Sequence, residues 1–196
     1  MRILFRPFFA ISLAVGLLAA CTFDDPQNRF AEITFAHLPE IRLDVGDVRI
    51  EQAYLASVKD PNVEHRFPVK PMDAAVRWAQ DRLEAEGSRL VLRYIVREAS
   101  VVETALETKS GVTGLLTTDQ AERYDARIVV DLQILDGRQV QATANAEARR
   151  SVTVPEGISL KERELVWYKL TEDAMNDLNS QLEETIRSAF FPYVIL

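Results

Sequence analysis

Tyr124-Asp125-Ala126-Arg127-Ile128-Val129-Val130-Asp131-Leu132-Gln133-Ile134 decides the fold. Its even positions, Tyr124, Ala126, Ile128, Val130, Leu132 and Ile134, are apolar, while Asp125, Arg127, Asp131 and Gln133 between them are polar. That period of two marks a strand with one face buried and the other in water. Downstream, Val140, Ala142, Ala144, Ala146 and Ala148 keep even parity against Gln141, Thr143, Asn145, Glu147 and Arg149, so a second strand pairs with the first. A two-residue Asp136-Gly137 loop would set Ile134 opposite Gln139 and mix the faces. The expected connection is therefore a three-residue loop, Leu135-Asp136-Gly137, with Gly137 left-handed in a bulge. It pairs Leu132 with Val140 and Val130 with Ala142. The file of alanines predicts a helix lying close on this strand.

Working outward, a strand from about Arg89 places Leu90, Leu92, Tyr94 and Val96 on one face and continues through residues 99–106 with a shift of phase. A first strand over residues 41–55 alternates Val48, Ile50 and Tyr54 with Asp47, Arg49 and Glu51. Between them, Pro71 suits a first helical turn, Asp73 complements the helix dipole, and Met72, Ala75, Val76, Ala79 and Leu83 form an apolar stripe with Gly87 as the stop. The last helix opens on the capping box Ser159-Leu160-Lys161-Glu162 and buries Trp167, Leu170, Ala174, Leu178, Leu182, Ile186 and Ala189. From Ser159 to Ala189 it would be about 45 Å long. The fold class is α+β: a four-stranded, mainly antiparallel sheet with two helices packed on one face, in the order strand-helix-strand-strand-strand-helix.

The N-terminus reads differently. Arg2 and Arg6 precede an apolar run from Phe8 to Leu17, and small Ala19 and Ala20 precede Cys21, the three parts of an export signal. The run is shorter than the roughly 20 apolar residues a spanning helix needs, and polar Thr22, Asp24 and Asp25 follow it. Leu18-Ala19-Ala20-Cys21 resembles the lipobox of bacterial lipoproteins. The resemblance implies cleavage before Cys21, a diacylglyceryl group on its thiol and an acyl chain such as palmitate on its amine. One chain holds a protein reversibly, whereas two or three anchor it stably. The chain then divides into a signal peptide (residues 1–20), a lipid-anchored tether (21–39) and one α+β domain (40–196). Phe30, Ile33 and Phe35 suggest that the second half of the tether rests on that domain. Thr22, in place of the Asp that resembles an inner-membrane retention signal, favours a periplasm-facing protein on the outer membrane.

Composition narrows the function. Net charge is −7 for 196 residues, and loss of Arg2 and Arg6 with the signal brings it to −9, which argues against nucleic acid as a partner. One cysteine permits no internal disulfide, and the isolated His37 and His65 make no zinc set. No nucleophile with a positioned base, no paired catalytic carboxylates and no glycine-rich phosphate loop are visible, so neither a cofactor nor an enzyme is expected. Three non-catalytic features stand out. Arg89, Arg93, Arg97, Arg127 and Arg149 occupy odd strand positions facing away from the helices, and Arg93 and Arg127 in particular are candidates to meet an anionic headgroup. The alternative is a solvated face on which Asp125, Asp131 and Glu147 neutralise them. Leu115 and Leu116, in the expected hairpin tip at residues 111–116, either insert into lipid or a partner or fold back. The apolar tail at residues 190–196 either docks on its own domain or forms a partner site.

The lipobox and the element order over residues 41–189 resemble small envelope lipoproteins that assist lipid transport, namely the lipopolysaccharide-assembly lipoprotein and the auxiliary lipoproteins of ABC-type lipid transporters. That resemblance implies a non-catalytic binding subunit with an envelope protein partner and a lipid or glycolipid ligand. It carries over only the acylated Cys21. The alternative is a structural or scaffold lipoprotein of the envelope that binds proteins alone.

Overall fold

The computed structural model describes residues 30–106 and 120–195. In chain order its elements are β1 (Ile41–Leu43), β2 (Asp47–Gln52), a 3₁₀ turn (Glu64–Arg66), α1 (Pro71–Arg82), β3 (Leu83–Ala85), β4 (Val91–Ala105), β5 (Gln120–Asp136), β6 (Gln139–Pro155), α2 (Leu160–Ala189) and a second 3₁₀ turn (Phe191–Tyr193). The main sheet has the order β2-β4-β5-β6, and β1 and β3 form a small sheet of their own. Within the main sheet only β2 and β4 run parallel, as β1 and β3 do in the small one, so the α+β, mainly antiparallel expectation for the four-stranded sheet holds.

Even parity on β5 is observed throughout: Tyr124, Ala126, Ile128, Val130, Leu132 and Ile134 are all buried. The phase shift in β4 is a bulge between Val96 and Glu98, after which Ala99 and Val101 take over the inner face. The β5–β6 turn differs from expectation. Asp136 pairs with Gln139 around Gly137-Arg138, with Gly137 at φ +59°, the glycine-first pattern of a two-residue hairpin turn. Leu135 pairs with Val140 and Ile134 with Ala142, which leaves Gln141 as an extra residue. This bulge, rather than an odd loop, restores even-to-even pairing, so Leu132 faces Ala144 instead of Val140 and Val130 faces Ala146 instead of Ala142.

The continuous first strand also proves to be two. Gly46 separates β1 from β2, because the β1–β2 link passes directly against residues 86–88. A Cβ on Gly87 would lie 2.4 Å from Asp44 Oδ1 and 2.5 Å from Asp44 C. Gly87 is therefore a point of close backbone approach and not a helix stop, since α1 ends at Arg82 and runs straight into β3. The buried side of α1 is Ala74, Ala75, Trp78, Ala79 and Arg82, rotated from the expected stripe, with Met72 only half-buried. Trp78 sets this rotation: it stacks on Tyr94 at 5.7 Å and donates its Nε1–H to Asn179 Oδ1 at 2.8 Å.

α2 begins at a complete capping box, with Ser159 Oγ accepting from Glu162 N (3.3 Å) and Glu162 Oε2 accepting from Ser159 N (3.1 Å). It lies along β6 over the small side chains Ala146 and Ala148 and buries Trp167, Leu170, Ala174, Met175, Leu178, Leu182 and Ile186. Each of the larger ones contributes about 1.5–3 kcal/mol by leaving water. Ala189, expected in the stripe, is exposed, and Phe190 is buried in its stead. The tail then docks on its own chain: Val194 bridges Leu43, Asp44 N donates to Tyr193 O (2.8 Å) and Ile195 N donates to Arg42 O (2.9 Å).

Candidate functional site

Both helices cover one face of the main sheet, and the odd positions of β5 and β6 form the other. Here the arginines singled out from the sequence come together, each engaged by a carboxylate. Arg93 grips Glu51 with two hydrogen bonds, Nε to Oε1 at 2.7 Å and Nη2 to Oε2 at 2.6 Å, and donates a third to Gln133 at 2.9 Å. Arg97 donates to Asp131 at 2.6 Å, and Arg89 to Asp136 at 2.8 Å. Arg127 bridges β4 and β6, reaching Glu98 on one side and Glu147 (2.9 Å) on the other, while Arg149 shares Glu147. Hydrogen bonds from Arg127 and Arg149 pull the Glu147 carboxyl down to about 2, and Arg93 holds Glu51 below the usual carboxylate range. Ile95 is 1% exposed among these pairs. The charges of this face are already matched, pair by pair. Of the two neutralising acids besides Glu147, Asp131 pairs with Arg97 and Asp125 with Arg123. An incoming headgroup would have to displace a carboxylate from Arg93 or Arg127. Cys21, Leu115 and Leu116 lie outside the described residues.

The chain enters the fold along α1. Phe30 stacks on Tyr168 at 5.2 Å, Ile33 and Phe35 are buried, and Glu32 pairs with Arg77. Asp81 accepts from Thr34 Oγ1 (2.5 Å) and from Phe35 N (2.8 Å). Residues 30–35 are thus fastened to the helices by apolar and polar contacts together.

Two buried charged groups escaped sequence reasoning. Glu64 is 2% exposed and stands where the edge of β4 has lost β2 and not yet gained the 61–63 segment. Its Oε1 accepts from Tyr54 Oη (2.7 Å), and its Oε2 from Val101 N (3.2 Å) and Asn62 Nδ2 (3.4 Å). The second group is Arg82, in the last turn of α1, with a side chain 3% exposed. Its Nη2 pairs with Glu183 on α2, and its Nε and Nη1 reach no acceptor among the described residues. Arg82 lines a cavity of about 500 Å³ whose apolar wall comes from Leu38, Ile41, Phe191, Val194 and Ile195. The only signal in the sequence was indirect. Arg82 falls four residues after Trp78, on the same helix face, which is visible only once Trp78 is known to point inward.

Neither histidine joins a cluster. His37 lies beside Phe35 with ring centroids 6.3 Å apart, and His65 belongs to the first 3₁₀ turn. Among the described residues no three His, Cys, Asp or Glu side chains converge on a point that would hold a metal ion, and no helix is long and apolar enough to cross a membrane.

An α+β chain with helices on one sheet face, a charge-matched opposite face and a cavity at one end is the arrangement defined by these residues. No family model matches the chain, and no curated protein matches it. Solved structures do resemble it. Rare lipoprotein B from Shewanella oneidensis is 17% identical, with a TM-score of 0.34 over 70% of this chain and 94% of that one. A minor lipoprotein from Acinetobacter baumannii is 18% identical, with a TM-score of 0.39 over 77% and 96%. Uncharacterised lipoprotein B from Nitrosomonas europaea is 16% identical, with a TM-score of 0.37 over 73% and 86%.

Proposed function

We propose that this protein is a lipid-anchored envelope lipoprotein acting as a non-catalytic binding subunit of a lipid-transport or assembly system. Cys21 carries the acyl chains and the domain faces the periplasm, with the outer membrane favoured. The observation that carries the reading is the open sheet face. It is cross-linked by Arg93–Glu51, Arg97–Asp131 and Arg127–Glu98/Glu147, and the Ser100 hydroxyl on it is taken up by Glu98. Paired charges of this kind give a protein interface its register and specificity more than its affinity. The sequence signal at residues 18–21 supports the anchor. The fastening of residues 30–35 supports a domain held close to it, because the nine steps from Cys21 to Phe30 span at most about 32 Å.

The protein-only scaffold is the second reading, and one observation favours it: Arg93 and Arg127 are already satisfied by carboxylates, which leaves a lipid headgroup little to gain on that face. Copurification from solubilised membranes tests both. Arg93→Gln with Arg127→Gln, and separately Leu115→Ser with Leu116→Ser, should each fold and each reduce recovery of an envelope protein. Full recovery of every wild-type partner by both folded double variants would remove these surfaces from the account. Loss of protein partners with unchanged lipid content would decide for the scaffold.

A further inference from the structure

We infer that the cavity at the far end of α2 binds a single-chain anionic amphiphile, with the Arg82 guanidinium receiving the headgroup. Arginine carries five N–H donors and no acceptor. Arg82 is buried, yet Nε and Nη1, which hold three of those donors, meet no acceptor among the described residues. Buried donors of a charged group are rarely left so, and an orphaned set of this kind calls for a partner at that position. The chemistry that fits is an anionic oxygen, which makes charge-assisted hydrogen bonds with guanidinium.

The rest of the cavity specifies what that oxygen is attached to. Leu38, Ile41, Phe191, Val194 and Ile195 offer an apolar wall, so a bare inorganic anion would leave most of the lining unused. The volume of about 500 Å³ is ordinary for a ligand site. At roughly 30 Å³ for each water-sized group it seats on the order of 15 heavy atoms, enough for one acyl chain of moderate length and its headgroup. Arg42, Arg82 and Arg187 supply the cations of the lining; Arg42 faces Glu86 and Arg82 faces Glu183, so Arg82 offers an anion its two orphaned nitrogens rather than a net positive field.

One wall is the C-terminal segment, held to β1 by the Leu43–Val194 bridge and the Ile195 N to Arg42 O bond, with Phe191 66% exposed beside it. The site is remote from where the chain enters the fold. Tyr168, under Phe30, precedes Arg187 by 19 residues of α2, about 28 Å along the helix. The cavity therefore lies at the other end of α2 from Phe30, although Leu38 and Pro39 at the end of the tether line it, and this assignment stands whether or not the sheet face docks a partner.

Photoaffinity labelling of the full-length protein in its native membranes tests the inference. The probes are three diazirine-bearing twelve-carbon chains ending in a carboxylate, a phosphate monoester or a neutral alcohol, and labelled peptides are mapped by mass spectrometry. The carboxylate or the phosphate should label residues 38–42 or 191–195 at least five-fold more than the alcohol, and whichever labels better identifies the headgroup. Arg82→Gln should abolish that preference, and Arg82→Lys should restore part of it. Because loss of Arg82 also strands Glu183, Ile41→Trp serves as a variant that fills the cavity and leaves the Arg82–Glu183 pair untouched; it should block labelling by all three probes. Equal labelling by acid and alcohol, or undiminished acid labelling in folded Arg82→Gln and Ile41→Trp, overturns the assignment.

Discussion

Replacing Glu64 by Ala should cost about 2–4 kcal/mol of stability, a loss out of proportion to a side chain in a short surface turn. The reason is its position at a gap in the sheet. β2 leaves β4 after Val96, where Ala53 N and Tyr54 N donate to Val96 O, and the 61–63 segment rejoins it at the Asn62–Val102 bridge. Between these points the N–H of Val101 faces no strand, and the Glu64 carboxylate takes the place of a backbone carbonyl (3.2 Å) while also accepting from Tyr54 Oη (2.7 Å). Alanine leaves the Val101 N–H buried without an acceptor, at about 1–3 kcal/mol, and takes the acceptor from the part-buried Tyr54 Oη and Asn62 Nδ2 at a smaller cost, partly offset because the carboxylate no longer has to be desolvated. Glutamine keeps the shape and one accepting oxygen, so it should cost about 1–2 kcal/mol. Urea unfolding followed by the fluorescence of Trp78 and Trp167, both buried, reads the difference as a shift of midpoint at constant slope. If Glu64→Ala unfolds within 0.5 kcal/mol of wild type, roughly the scatter of an ordinary surface substitution, the carboxylate does not close the sheet edge and this reasoning fails.

Ala146→Asp should destabilise by several kcal/mol, because the carboxylate is forced unpaired between β6 and α2, whereas exposed Thr143→Asp should change stability by about 0.5 kcal/mol or less; equal thermal shifts for the two would contradict the assignment of faces. Glu147, held at about 2 by Arg127 and Arg149, contributes stability that is present above its ordinary value near 4.5 and is lost as pH falls toward 2. Glu147→Gln should therefore cost about 1 kcal/mol at neutral pH and progressively less below pH 4, as expected for a partly exposed pair; a variant whose deficit does not shrink in acid would show that the carboxylate's charge is not what stabilises the face.

The parts of this structure that were legible in the sequence are those where one physical signal acts alone. Period-two alternation placed β5, β6 and the inner face of β4, and the Ser159–Glu162 box placed the start of α2 to the residue. Parity required that even face even across the β5–β6 turn, but a bulge and an odd loop both satisfy parity, and only the three-dimensional register shows Gln141 as the extra residue. Trp78 was hidden because its indole is read as easily on a rim as in a core, and with it went the true inner face of α1. Arg82 and Glu64 were out of reach for a different reason. A charged residue becomes buried through long-range closure, here by Glu183, 101 residues away, and by the edge gap of β4, neither of which has a local pattern. The arginine face was legible as a set of odd positions, and its pairing with Glu51 and Glu98 required the strand order.

The proposed attachment to the membrane runs through Cys21. Mass spectrometry of the N-terminal proteolytic peptide, purified from native membranes with detergent, measures this directly. The predicted result is a mature chain that begins at Cys21, with residues 1–20 absent and a mass increment of a diacylglyceryl group on the thiol plus an acyl chain on the amine. An N-terminal peptide that begins elsewhere, or that begins at Cys21 with a free thiol and amine, would contradict it.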